Sequence, residues 1–499
     1  MQVADLVRNA ARRFPGRDAV REGSRVRTFA ELDRQADALA AALLARGLQS
    51  GDRVALLAQN ELEYVEIQVA AQRAGVVLVP LNFRLAVPEL EFIVADSGAR
   101  VLLHGPGYEG AAGKLAVDTV IHLGPDGVGE RYDDVVAAHA GARLDAPLDA
   151  ERPACILYTS GTTGRPKGAV LSNLALYARC AAMAIDFRTR PGSVFVQTLP
   201  MFHISANTAY SFTYTGSTIV LVKDFSVAGV VETLHRSAAT HVLMVPGTIN
   251  LFVNEPGIER EQFEHLRLVI YGASSIAPDV LRRAIAVFGC DFLQLFGMTE
   301  TSACSILRQE DHDPVGRPDL LSSAGTDAVS FETKVVDPTG QECEPGVVGE
   351  IVARGPALMS AYWANPAATA EAMRDGWMHT GDLGHRSAEG YLFVTDRLKD
   401  MIVTGGENVY PREVEDVLFA HPAVLEAGVI GVPDARWGER VHAVVVLRPD
   451  GSASAEELIA HCRDELAGYK CPKTVEFIAA LPKNATGKVL KRELRARAS

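Results

Sequence analysis

Short apolar runs alternate with longer amphipathic stretches through much of this chain, and few architectures accept that alternation. Val54-Ala55-Leu56-Leu57 and Val76-Val77-Leu78-Val79-Pro80 are continuously apolar, as strands buried on both faces are. Residues 32–44 and 62–75, between or beside them, carry helical spacing. Residues 240–245 and 266–271 continue the strand series, and a helix is expected over 278–288 with Pro278 in its first turn. The pattern predicts an α/β fold with helices layered on largely parallel sheets. From residue 399 onward it changes to a compact α+β unit, with strands at 424–432, 441–447 and 474–477 and a helix at 455–467. The expected organisation is therefore a large multi-layer N-terminal domain of β-sheets and helices, residues 1–398, followed by a small C-terminal domain, residues 399–499. Residues 1–20 read as an amphipathic helix, and 105–130 and 309–327 as surface loops.

Composition sets the class. The 499 residues, 48% of them hydrophobic, suffice for several sizeable cores. A net charge of −13 argues against general nucleic-acid binding. No apolar run approaches the about 18 residues needed to cross a bilayer, and no apolar core follows the N-terminal arginines as it would in a signal peptide. The seven cysteines lack CxxC spacing, which reads as reduced thiols in a cytoplasmic protein.

Thr159-Ser160-Gly161-Thr162-Thr163-Gly164-Arg165-Pro166-Lys167-Gly168 follows one apolar strand and precedes a helical run starting near Ser172. Its glycines let the backbone fold tightly enough for several N–H groups to converge on one anion. Four hydroxyl side chains and Lys167 add donors and charge, so the loop is suited to a polyphosphate. It is not the common P-loop, which needs lysine directly after the second glycine and a hydroxyl residue after that.

The loop resembles the phosphate-binding signature of the adenylate-forming superfamily, which includes acyl-CoA synthetases, aryl-CoA ligases and peptide adenylation domains. Further motifs recur downstream in that family's order. Gln294-Leu295-Phe296-Gly297-Met298-Thr299-Glu300 resembles its adenine and magnesium motif. There Phe296 would stack on a purine beside Gly297, Thr299 would bond a phosphate oxygen, and Glu300 would give Mg²⁺ a hard oxygen ligand. The family usually has tyrosine where this chain has Phe296. Tyr271-Gly272-Ala273-Ser274-Ser275 would form the second adenine wall, and Asp382 in Trp377-Met378-His379-Thr380-Gly381-Asp382 would accept from the ribose hydroxyls with Arg397 as a second contact. Pro482-Lys483-Asn484-Ala485-Thr486-Gly487-Lys488 resembles the C-terminal catalytic lysine motif. Lys488 would bridge an acid carboxylate and the α-phosphate of ATP, where transition-state charge accumulates. By the same resemblance, Lys399 is a hinge about which a mobile C-terminal domain rotates, and Gly406 lines a passage for the pantetheine of CoA.

Leu199-Pro200-Met201-Phe202-His203-Ile204-Ser205 resembles the motif beside the acyl pocket, with His203 next to the carboxylate. Amino-acid adenylating relatives usually carry an aspartate here, and this chain has none. No arginine suited to a second carboxylate stands at Ser205, Asn207, Ala273 or Gly297. The implied activity is an ATP- and Mg²⁺-dependent acid–CoA ligase for an apolar monocarboxylic acid, with residues 396–411 most like bacterial fatty-acid–CoA ligases. An aromatic acid as substrate, a carrier protein as acyl acceptor, a luciferase-like oxygenase, a non-catalytic binding protein and a homodimer stay open.

Overall fold

The computed structural model describes residues 3–144, 149–159, 166–223, 225–398, 400–405, 407–434, 436–483 and 489–498. Among them, four sheets organise the chain. The nine-stranded sheet runs, in spatial order, through Thr326–Asp327, Ser302–Leu307, Asp291–Met298, Leu268–Gly272, His241–Met244, Val194–Gln197, Thr218–Leu221, Asp18–Glu22 and Arg25–Thr28. Its interior pairs are parallel, from Asp291–Met298 across to Asp18–Glu22. The eight-stranded sheet contains Arg53–Leu57, Val77–Pro80 and Ala99–His104, again parallel, and ends on the antiparallel strands Lys167–Ser172 and Ala361–Tyr362. One large apolar cluster packs the first three helices against both sheets, through residues such as Leu6, Phe29, Tyr64, Phe195 and Ile270.

Local signals explain the helix ends. Thr28 accepts from the Glu31 amide while its own amide donates to Glu31 Oε2, closing a capping box on Phe29–Ala45. Leu62–Ala74 stops at Gly75 with φ of 77°, and Pro278–Phe288 begins on proline and ends at Gly289 with φ of 62°.

Two expectations are corrected. The N-terminal helix covers only Val3–Arg13, because Pro15 and Gly16 break it and residues Asp18–Glu22 pair as a strand. Residues 105–130 are not all loop: Thr119–His122 joins the eight-stranded sheet with Ile121 fully buried. The helical run expected from near Ser172 is present, with Ser172 capping Asn173–Asp186. What the sequence did not mark is the strand Lys167–Ser172 before it, which runs antiparallel to Pro153–Thr159.

A third sheet, all antiparallel, comprises Glu332–Val336, Gly349–Arg354, Met373–Arg374, Trp377–Arg386 and Leu392–Arg397. The fourth belongs to the smaller C-terminal domain. Its strands, Ile402–Thr404, Glu407–Val409, Val424–Asp434, Gly438–Leu447 and Thr474–Phe477, pair only with one another among the described residues. Helices Pro411–Ala420 and Ala455–Glu465 cover one face around Val414, Leu418 and Leu458, and Lys491–Ala498 packs on the other with Leu494.

Candidate nucleotide site

The parallel strands of the nine-stranded sheet deliver several of the expected residues to one edge, where their carboxyl ends open. In such sheets that edge is where ligands bind. Gly272 ends Leu268–Gly272 and is paired with Leu295 on the neighbouring strand, which brings residues 272–274 beside Phe296 and Gly297. A Cβ at Gly272 would lie 2.4 Å from the Leu295 carbonyl oxygen, so no larger residue fits without moving the strand. A Cβ at Gly297 would stand 1.6 Å from the Ser302 carbonyl oxygen. Ala273 holds φ of 71°, a strained conformation for a residue with a side chain, and Ala273, Ser274 and Ser275 are exposed. Phe296 packs beside the cluster of Ala324, Val335, Ile351 and Leu392.

Glu300 follows at the end of the same strand and is buried. Its Oε1 accepts from the Tyr362 hydroxyl at 2.8 Å, and its carbonyl accepts from the Met359 amide at 2.7 Å. Burial, then the neighbouring Glu300 charge, pushes the Tyr362 phenol up, so it stays a donor. Lys167 Nζ lies 5.3 Å from the centre of the Tyr362 ring. The strand pair Tyr362–Ala169 sets that distance. Lysine, tyrosine and glutamate thus form one chain of contacts. The other Glu300 oxygen takes no hydrogen bond among the described residues, which suits a cation ligand. No group of three or more His, Cys, Asp or Glu that could cage a metal exists among the described residues. One carboxylate plus substrate phosphates is the way Mg²⁺ is usually held, so the donor set fits that ion.

Asp382 and Arg397 face each other across Trp377–Arg386 and Leu392–Arg397, with Arg397 Nε 3.0 Å from Asp382 Oδ1. The Asp382 amide donates to Thr380 Oγ1, which itself donates to the Ile351 carbonyl. This fixes a half-paired carboxylate rather than a solvated one. Asp382 also acts electrostatically on Cys304, whose thiol donates to the Phe296 carbonyl, so the antiparallel sheet approaches the Phe296–Gly297 segment.

His203 lies in the turn after Val194–Gln197, on the same edge. Asn60 anchors that turn by donating to the Leu199 carbonyl and accepting from the Met201 amide, and Tyr64 donates to the Met201 carbonyl. Burial, then Arg84, lowers the imidazole to about 4, so it is neutral at physiological pH. Its Nε2 is buried without a partner among the described residues. The ring of Phe202 lies 4.2 Å from it, and Phe83 meets Phe202 edge-on at 5.1 Å. An uncharged donor beside an aromatic wall can orient a carboxylate without neutralising it.

Thr159 and Lys167 frame the loop, with Thr159 Oγ1 3.4 Å from the Lys167 carbonyl oxygen. Ser160, Gly161, Thr162 and Thr163, together with Lys399, Gly406 and Lys488, lie outside the described residues. Sequence reasoning missed Tyr362, which no local motif marks, and Arg179, whose guanidinium bonds the Thr299 and Ala357 carbonyls. Only their long-range partners reveal them.

A buried carboxylate after a strand of the parallel sheet, linked through Tyr362 to a lysine on a neighbouring antiparallel strand, fits a nucleotide-handling α/β enzyme. The chain belongs to the AMP-binding enzyme family: the family's model matches residues 7–363, and that of the AMP-binding enzyme C-terminal domain matches 413–488. It is 38% identical to the fatty acid–[acyl-carrier-protein] ligase ScoC of Streptomyces coeruleorubidus, over 98% of this chain and 94% of that one. It is also 38% identical to a feruloyl-CoA synthase of an Amycolatopsis species, over 98% and 97%. The ATP-bound crystal structure of MatB from Rhodopseudomonas palustris superposes with a TM-score of 0.92 at 33% identity, covering 100% of this chain and 99% of that one.

Proposed function

We propose that this enzyme is an ATP-dependent, AMP-forming acid–CoA ligase for an apolar monocarboxylic acid, most suited to a medium- or long-chain aliphatic one. In the first half-reaction an acid oxygen bonds to the α-phosphorus of ATP and pyrophosphate leaves. In the second, the CoA sulfur bonds to the acyl carbon and AMP leaves. Lys167 and the loop would hold the phosphates, Asp382 and Arg397 the ribose, and Gly272, Ala273, Ser274, Phe296 and Gly297 the adenine. Glu300 would carry Mg²⁺, which offsets phosphate charge. Lys488 would stabilise the approach of two anions, and residues 1–398 and 399–499 would reorient about Lys399 to bring Gly406 to the thioester step. Reduced thiols, all seven of them free, suit a cytoplasmic enzyme.

The observation that carries the acid class is the wall around His203. Residues 199–213 contain no acidic side chain, and His203 is itself neutral. An α-ammonium buried there would be unpaired, at a cost of several kcal/mol. An aromatic acid is the second reading, favoured by the Phe83–Phe202–His203 cluster and by the feruloyl-CoA synthase relative. The ScoC relative brings a carrier protein forward as the competing acceptor.

The deciding experiment is acid-dependent pyrophosphate release across aliphatic, aromatic, dicarboxylic and amino acids, with and without CoA. Turnover with CoA that yields acyl-CoA and AMP supports the ligase and ranks the acids. Release that stalls near one equivalent despite CoA moves the acceptor to a carrier protein. Lys488→Ala should suppress adenylation far more than thioester formation from preformed acyl-AMP; equal loss in both steps would remove Lys488 from its assigned role. Lys399→Pro should slow the passage between the steps, and unchanged kinetics would dismiss a hinge there.

A further inference from the structure

Arg179 sits in the middle of Asn173–Asp186 and is 1% exposed. It forms no ion pair among the described residues. Instead, Nε donates to the Ala357 carbonyl at 3.0 Å and Nη2 to the Thr299 carbonyl at 2.9 Å. The third nitrogen, Nη1, is buried without a partner. A guanidinium stripped of water and given only neutral carbonyls is an expensive arrangement for stability alone. What it holds is the turn that carries Thr299 and Glu300.

Beside it is a cavity of about 10 Å³, the size that admits one water molecule. Arg179, Met183, Asp186, Ser302, Ser330 and Phe331 are among its lining residues. Asp186 Oδ2 and Ser330 Oγ are, like Arg179 Nη1, buried without a partner. A donor, a carboxylate oxygen and a hydroxyl thus surround a space of single-water size. Three orphaned polar groups at one cavity are satisfied together by one bridging molecule. Ser302, which also lines the cavity, holds φ of 63° just after the turn.

We propose that Arg179, bridged to Asp186 and Ser330 by one buried water, is a positioning residue that fixes the Thr299–Glu300 turn for nucleotide binding. By holding the Thr299 carbonyl, it fixes the backbone that carries both the Thr299 hydroxyl and the Glu300 carboxylate. Its charge acts on Glu300 without occupying a carboxylate oxygen, which leaves both for the Tyr362 hydroxyl and a cation. The inference rests on the reading of Thr299 and Glu300 as nucleotide and metal contacts.

The test compares wild type with Arg179→Lys, Arg179→Met, Asp186→Asn and Ser330→Ala. Mg·ATP affinity is measured by calorimetry, folding by thermal unfolding, and KM for ATP and for the acid by pyrophosphate release. Arg179→Lys keeps the charge but cannot span two carbonyls. It should bind Mg·ATP on the order of tenfold more weakly and raise KM for ATP in the same proportion, with KM for the acid unchanged. Ser330→Ala, which reaches the turn through the cavity, and Asp186→Asn, which also alters the Arg308 pair at 3.5 Å, should weaken Mg·ATP two- to threefold. Wild-type affinity in a folded Arg179→Lys overturns the proposal. So do equal losses for acid and ATP, which mark general loosening. If both Arg179 variants fail to fold, Ser330→Ala decides, and wild-type affinity there also overturns it. A high-resolution crystal structure with an empty cavity would remove the water bridge. Should wild type bind Mg·ATP yet release no pyrophosphate with any acid, the ligase reading fails while the calorimetric comparison still decides the role of Arg179.

Discussion

Two of the buried arginines in the large domain, Arg73 and Arg179, are held in opposite ways. Arg73, on Leu62–Ala74, is surrounded by charge: Nη2 meets Asp33 Oδ1 at 2.5 Å, Nη1 meets Asp37 Oδ1 at 3.0 Å and also donates to the Asp33 carbonyl. Arg8 and Arg143 close the network from outside. Burial lowers Arg73, countered by the two aspartates; burial also pushes Asp33 up, yet Arg73 and Arg143 hold it below the usual carboxylate range. Arg179 has no such company, and burial lowers it to about 10. The first arginine spends its charge on its own neighbours and locks helix to helix. The second makes no direct ion pair among the described residues and is held by two carbonyls beside the Thr299–Glu300 turn. Buried charge that is fully matched points to architecture, whereas buried charge held only by carbonyls points to a site.

The largest test of that contrast is Arg73→Met. It leaves Asp33 and Asp37 short of one partner and should cost about 3 kcal/mol in denaturant unfolding, with adenylation per folded molecule unchanged. A loss of turnover in the folded fraction would erase the distinction between the two arginines. Asp382→Ala comes next, because it strands Arg397. It should raise KM for ATP by an amount worth about 2 kcal/mol while leaving the melting temperature within a few degrees, as judged by parallel kinetics and calorimetry. Gly272→Ala tests the neutral part of the same edge. The added methyl must push Leu295 aside, so about 1–3 kcal/mol of stability and a larger share of nucleotide affinity should go.

The last test is the effect of pH on His203. Burial holds its folded-state value near 4, below the ordinary 6.5. Between those values the unfolded chain takes up a proton that the folded chain does not. Its contribution is therefore fully present above pH 6.5 and is lost as pH falls towards 4, by at most about 1.4 kcal/mol per pH unit. His203→Gln should flatten that part of the stability profile relative to wild type. The KM for the acid should show no inflection near 6.5 in wild type, and one appearing there would mean the imidazole is solvated after all.

Much of the fold was legible because its elements carry their own punctuation. Pro278 and Gly289 bracket one helix, Thr28 and Glu31 open another, and the apolar run 54–57 has no choice but a buried strand. Lys167–Ser172 was not legible, since its polar start and Gly168 resemble the loop it closes. Only pairing with Pro153–Thr159 makes it a strand. The antiparallel third sheet escaped notice for a related reason: its strands alternate weakly, and their register depends on partners distant in sequence. At the site, Asp382 and Arg397 were each marked by a motif, but their contact is a fact of register. Arg179 looks in sequence like any helix arginine. Its meaning comes from two carbonyls more than a hundred residues away.

The short strand Ala361–Tyr362 has a consequence for biosynthesis. It seats on Lys167–Ser172, and its tyrosine reaches back to Glu300, so it joins segments made at three separate times during translation. Contacts that span so much chain close late, because the entropy of joining distant segments must be overcome first. A nascent chain halted before Met359 would carry the glycine-rich loop and its lysine while Glu300 lacked both its backbone and its side-chain anchors. The strand thus works as a check on completeness, and the edge of the sheet takes its working form only once most of the polypeptide has been made.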